Sequence, residues 1–141
     1  MKVRRSNRLV DMTRYLMEHP RTLVSLKFFS ERFGSAKSSI SEDLSIVKHT
    51  FHTWGEGRLE TIPGASGGAV LTPLYSKENA QKAIDNLVAE VNDDSRLLPG
   101  GYVYLSDLIG RPDILRQVGR LIATQYVDKD VDVIMTVETK G

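Results

Sequence analysis

The sequence predicts an α+β winged helix-turn-helix domain at the N-terminus, followed by the beginning of an α/β domain. Three observations carry this. Apolar residues repeat at helical spacing three times before Gly55. The spacing then changes to period two around the glycine-rich reversal "PGASGG". Past residue 98 it changes again, to a strand, a helix and the near-continuous apolar run "VDVIMTV".

Composition sets the frame. The 141 residues are 40% hydrophobic and 26% charged, the balance of an ordinary globular chain. No apolar run is long enough to span a bilayer, and "MKVRRSNRLV" has no apolar signal core. There is no cysteine, which removes disulfides and thiolate chemistry and fits a cytoplasmic setting. Net charge is +1 but uneven. Residues 1–75 carry 11 Lys/Arg against 7 Asp/Glu, and residues 76–141 carry 8 against 11. A basic first part suggests an anionic partner, and the acidic remainder another task.

The first helix is expected over residues 6–18. Ser6 or Asn7 would cap it, and Leu9, Val10, Thr13, Leu16 and Met17 would form its inner face. His19-Pro20 ends it. Ser25 precedes a short second helix with Leu26, Phe29 and Phe33 inward, and Gly34 stops it. A third helix begins within "SAKSSISEDL", with Ser35 as its N-cap. Advancing by about 100° per residue, Ala36, Ile40, Leu44, Val47, Phe51 and Trp54 fall on one stripe. Lys37, Ser38, Ser41, Ser45, Lys48 and His52 gather opposite, with Glu42 at their margin. Asp43 lies at the edge of the apolar stripe. It is expected to pair with an arginine and brace the helix.

"RLETI" and "AVLTP" are the strands of a hairpin. A fourth helix runs from Ser76 to about Asn92, and "DDSRLLPGG" reads as a boundary or linker. "YVYL" reads as a strand, and Pro112 opens a helix with Ile114, Leu115, Val118, Leu121 and Ile122 inward. The expected division is a winged-helix domain over 1–75, helix and linker over 76–98, and the start of an α/β domain over 99–141.

A helix fits the major groove of DNA. Small hydroxyls permit close approach, and lysine neutralises phosphate. Lys37, Ser38, Ser39, Ser41 and Lys48 are therefore the candidate contacts on the third helix. Arg4, Arg5 and Arg8 are candidates for a basic arm along the phosphates. The hairpin tip carries no cation, so Ser66 and the backbone at Gly67 are its candidates. A solvated helix face, a frayed terminus and a plain turn are the respective alternatives. His19, His49 and His52 lack metal-ligand spacing, and no catalytic or metal-binding set stands out. In "VIMTVETKG", Lys140 and the backbone beside Gly141 could face a phosphate at a strand end; a plain turn is the alternative.

The blocks "RLVDMTRYLMEHP", "FFSERFGSAKSSISEDLSIVK", "TIPGASGGA" and "LLPGGYVYLSDLIG" together resemble those of the pur operon repressor family, in the same order. "VDVIMTVETKG" continues the likeness. The resemblance implies a winged-helix domain joined to a phosphoribosyltransferase-type domain. That second domain would sense phosphoribosyl pyrophosphate (PRPP) as an effector rather than catalyse transfer. It also implies homodimers acting on double-stranded DNA at purine operon control sites, as repressors or activators, with no required cofactor. Lys37, Ser38, Ser39 and Ser41 match the recognition-helix block, and Thr139, Lys140 and Gly141 match the first pyrophosphate loop. The acidic pair that binds the ribose phosphate in that fold is not in this sequence, so PRPP binding is expected of a longer protein. The rival expectations are a phosphoribosyltransferase enzyme with an accessory N-terminal domain, and a winged helix used only for protein contacts.

Overall fold

The computed structural model describes residues 3–64 and 66–137. They form two compact units that divide between Ile84 and Asp85.

The first unit opens with α1 (Arg5–Glu18). Arg4 is its N-cap residue and makes no side-chain cap bond, so neither Ser6 nor Asn7 takes that role. The buried line is Arg8, Met12 and Leu16, a strict four-residue spacing. Val10 and Met17, expected inside, are exposed. Arg8 takes the first place on this line, and Val10 and Met17 lie off it.

A tight turn follows, with Arg21 at φ +58° and its N–H donating to the Leu71 carbonyl at 2.8 Å. β1 (Val24–Ser25) leads directly into α2 (Leu26–Phe33). Ser25 Oγ caps α2 by accepting the Phe28 N–H at 3.1 Å. Gly34 ends it at φ +58°.

α3 spans Lys37–Trp54. Its N-cap residue is Ala36, not Ser35. The Ser35 hydroxyl turns back to the Phe33 carbonyl at 3.3 Å, and the Ser35 carbonyl accepts Ser30 Oγ at 2.6 Å. Ser35 therefore closes the turn instead of capping the helix. Ile40, Leu44, Val47 and Phe51 are buried as the spacing predicts. Ala36 and Trp54, at the ends of the stripe, are exposed.

β2 (Arg58–Ile62) and β3 (Gly68–Thr72) form the predicted hairpin, with Leu59 opposite Leu71. β3 also pairs with β1, so the sheet order is β1-β3-β2. Leu59, Ala69 and Leu71 meet Met12, Leu16, Phe29 and Leu44 in one core. Each such Leu, Met or Phe contributes about 1.5–3 kcal/mol by leaving water.

α4 (Lys77–Val91) crosses the division between the units. Asn79 fixes its start by donating to the Trp54 carbonyl at 2.6 Å. In the second unit the expected linker is instead an ordered hairpin. Asp93 Oδ1 accepts the Ser95 N–H at 2.9 Å and opens a 3-10 turn over Asp94–Arg96. β4 (Leu97–Leu98) then pairs antiparallel with β5 (Tyr102–Val103). α5 (Ser106–Ile109) precedes α6 (Pro112–Tyr126), which Pro112 opens as predicted. Residues 131–137 were expected to be a buried parallel strand. They form no strand, and their side chains are exposed. A strand exists only as part of a ladder, and the other strands described in this unit, β4 and β5, pair with each other. Among the described residues, no helix is long and apolar enough to cross a membrane.

Candidate nucleic-acid interface

The helix-turn-helix is α2, the turn at Gly34–Ala36, and α3. With Ile40, Leu44, Val47 and Phe51 inward, α3 presents its other side to solvent along its whole length. Lys37, Ser38, Ser41 and Lys48 are exposed there, and Ser39 is half-buried. Helical geometry arranges this side in two strips. Ser38, Glu42, Ser45 and His49 run down its middle. Lys37, Ser41, Lys48 and His52 run beside them. The Ser45 hydroxyl donates back to the Ser41 carbonyl at 3.0 Å, which keeps it short and close to the helix.

Asp43 takes the role anticipated for it. It is fully buried, on the flank of α3 that faces α1. Its Oδ1 accepts Arg5 Nε at 2.8 Å, and its Oδ2 accepts Arg8 Nε at 2.8 Å. Arg8 also donates to the Val3 carbonyl at 3.1 Å. This corrects the reading of Arg8 as a phosphate contact: its side chain is 9% exposed and committed to Asp43. Arg5 differs. It is held at Nε but keeps half its side chain in solvent, with a terminal nitrogen 3.8 Å from Glu42. Arg4 is exposed just ahead of α1.

At the hairpin tip, Ser66 is exposed. Gly67 is buried, and its N–H donates to the Gly64 carbonyl at 2.9 Å. That N–H is therefore spent within the turn and is not free for a phosphate, which corrects the reading of Gly67 as a contact. Thr139, Lys140 and Gly141 lie outside the described residues.

A second junction fixes α2 against α1. Arg32 Nε donates to Asp11 Oδ2 at 2.6 Å, and Arg14 donates to Asp11 Oδ1 at 2.8 Å. Bonds from Arg32 and Arg14 hold the Asp11 carboxyl below the usual range. The Arg32 guanidinium also lies over the Tyr15 ring, 5.6 Å from its centre, and His19 stacks on Tyr15 at 4.1 Å. Among the described residues, no group of three His, Cys, Asp or Glu could hold a metal ion.

The Arg5–Asp43–Arg8 cluster joins residues 35 or more positions apart. Its one signal in the sequence was an acid on the edge of an apolar stripe. Which arginines answered it was not readable from spacing.

Residues 4–73, covering α1 through the hairpin, match the family model of the bacterial purine repressor N-terminal domain. Through this domain, the chain belongs to the bacterial purine repressor family. Along its whole length it is 51% identical to the purine biosynthesis transcriptional repressor PurR of Bacillus subtilis, covering 50% of that protein. It is 45% identical to the probable purine biosynthesis transcriptional regulator PurR of Streptococcus pneumoniae, covering 51% of it. Over 139 residues it is 43% identical to the purine biosynthesis transcriptional activator PurR of Lactococcus lactis, again covering 51%. The chain thus spans about half the length of these relatives. The Bacillus protein is named a repressor and the Lactococcus protein an activator, so membership of the family does not fix the sign of regulation.

Proposed function

We propose that this chain is the DNA-binding part of a transcriptional regulator of purine-biosynthesis genes, and not an enzyme. α3 enters the major groove of double-stranded DNA at a purine operon control site, with its N-terminal residues toward the bases. Lys37 and Lys48 neutralise phosphates beside the groove, and Ser38 and Ser41 permit close approach. Ser39, half-buried, contributes at most through its edge. Arg4 and Arg5 extend the cationic surface from α1, and Ser66 offers a hydroxyl at the wing. The observation that carries this reading is the exposed polar side of α3, locked to the domain by a buried ion pair on its flank. The relatives' names support it by what they say those proteins regulate.

The wider reading follows from the family resemblance and the longer relatives. The second unit begins a phosphoribosyltransferase-type effector domain that takes PRPP as a ligand, with Thr139, Lys140 and Gly141 in its first phosphate loop. The whole protein acts as a homodimer in the cytoplasm.

Fluorescence anisotropy tests the central step. The chain is titrated into a labelled duplex from a purine operon control region and into a scrambled duplex of equal length, at matched salt. Specific complexes are typically 10³-fold or more tighter than non-specific ones. Equal affinity for the two duplexes overturns the proposal.

A further inference from the structure

We infer that Glu42 is a specificity-determining residue of this face, accepting a hydrogen bond from the exocyclic amine of a cytosine in the major groove. The inference rests on the DNA-binding reading of α3 and deepens it.

Glu42 is the sixth residue of α3 and one of two acids on that helix; the other, Asp43, is fully buried. Its side chain is 73% exposed. It lies in the middle strip between Ser38 and Ser45, away from the buried line of Ile40, Leu44 and Val47. Cations stand on both sides of this strip. Lys37 and Lys48 lie along one flank, and Arg5 reaches over from α1 on the other. That is the arrangement a helix needs in a groove, with positive charge toward the two phosphate walls and the central side chains toward the base edges.

A carboxylate in that central place has a definite chemical consequence. It can only accept hydrogen bonds, and it is repelled by phosphate and by the acceptors of guanine. The donors on the floor of the major groove are the amines of cytosine and adenine. Adenine places the N7 acceptor beside its amine, whereas cytosine presents its amine alone among the base atoms on its side. Cytosine is therefore the base that a carboxylate selects.

The competing role for Glu42 is a surface ion pair with Arg5. Its geometry argues against that as the main role. The nearest approach is 3.8 Å, both side chains are more than half exposed, and Arg5 makes its short bond to Asp43 instead. Among the described residues, neither Glu42 oxygen has a hydrogen-bond partner. Such a pair contributes little to stability, while Arg5 placed behind the carboxylate steadies its charge near the DNA.

The test scans a purine operon control duplex, replacing each C·G pair in turn by T·A. Affinities are measured for the unmodified chain, for Glu42→Gln and for Glu42→Ala. The expected result is one C·G position where the unmodified chain loses roughly tenfold or more in affinity and both variants lose little. Both variants should also bind scrambled DNA more tightly, since a negative charge has gone from a surface that meets a polyanion. If the variants keep the unmodified base profile at every position, Glu42 does not read a base, and the DNA-binding proposal stands without it. If the unmodified chain does not prefer the control duplex to the scrambled one, both proposals fall.

Discussion

Arg8 Nε and one terminal nitrogen of Arg8 both lie 2.8 Å from Asp43 Oδ2, in a site that leaves the carboxylate no contact with solvent. Breaking such a pair strands a buried charge, which costs about 3–5 kcal/mol. Asp43→Ala should therefore lower unfolding free energy by that order in urea titrations. Replacing Arg8 and Asp43 together by Met and Leu should recover much of the loss, because no buried charge is then left without its partner and Arg5, half exposed, keeps its water. A double variant as unstable as the single one would show that the pair is not the cause.

The lysines of α3 make a different prediction. Lys37 and Lys48 are exposed and lie on one strip of the helix. Each phosphate contact contributes about 0.9 to the slope of log affinity against log salt. Lys37→Ala and Lys48→Ala should each reduce that slope by about 0.9 and weaken specific and scrambled DNA alike. Unchanged slopes in both variants would move the phosphate contacts off this face.

Two glycines separate two kinds of constraint. At Gly34 the backbone is left-handed, but a Cβ would meet nothing within 4 Å. Gly34→Ala should cost about 1–2 kcal/mol from conformation alone, and Gly34→Asn should cost less. At Gly68 a Cβ would collide with the Val24 carbonyl, across the β1–β3 pairing. Gly68→Ala forces the strands apart and should cost about 1–3 kcal/mol, with asparagine worse than alanine. Thermal unfolding of the four variants gives the two orders, and the same order at both sites would contradict the distinction.

The junction at Asp11 sets an acid dependence. Bonds from Arg32 and Arg14 lower its folded pKa below the unfolded value. The unfolded chain therefore takes up the proton first as pH falls. The stabilisation is complete above about pH 4 and is lost as pH drops through the lower folded value. Arg32→Gln should flatten the acid limb of a stability-against-pH curve while leaving the slope near neutrality unchanged. An acid limb of equal steepness in the variant would remove Asp11 from the account.

Much of the first unit is legible in the sequence, because its helices obey local spacing and glycine takes its positive-φ turn positions apart from Arg21. Phe29, Phe33, Ile40, Leu44, Val47 and Phe51 are buried as their positions dictate. The misreadings have different physical origins. Arg8 reads as polar and basic, yet it fills an inner position because Asp43 waits 35 residues away. Ser35 is a good capping residue by type, yet its hydroxyl serves the turn behind it. Trp54 obeys the stripe but lies exposed at the last turn of α3. Residues 131–137 have the composition of a buried strand, and composition cannot supply a neighbouring strand. Of the interface, Lys37, Ser38, Ser41 and Lys48 are legible as one exposed side. The placing of Arg5 beside Glu42 depends on the fold.

β3 pairs with β1 on one side and with β2 on the other. β1 is the segment immediately before α2, and β2 follows α3 across a short turn. The two helices of the helix-turn-helix are thus flanked by strands that both pair with β3. Neither can swing out while that strand stays paired, so the helix-turn-helix has no cheap partial opening. Its amides should exchange with solvent only when the whole first unit unfolds. A binding surface built this way meets its target already in shape, and little ordering remains to be done on contact.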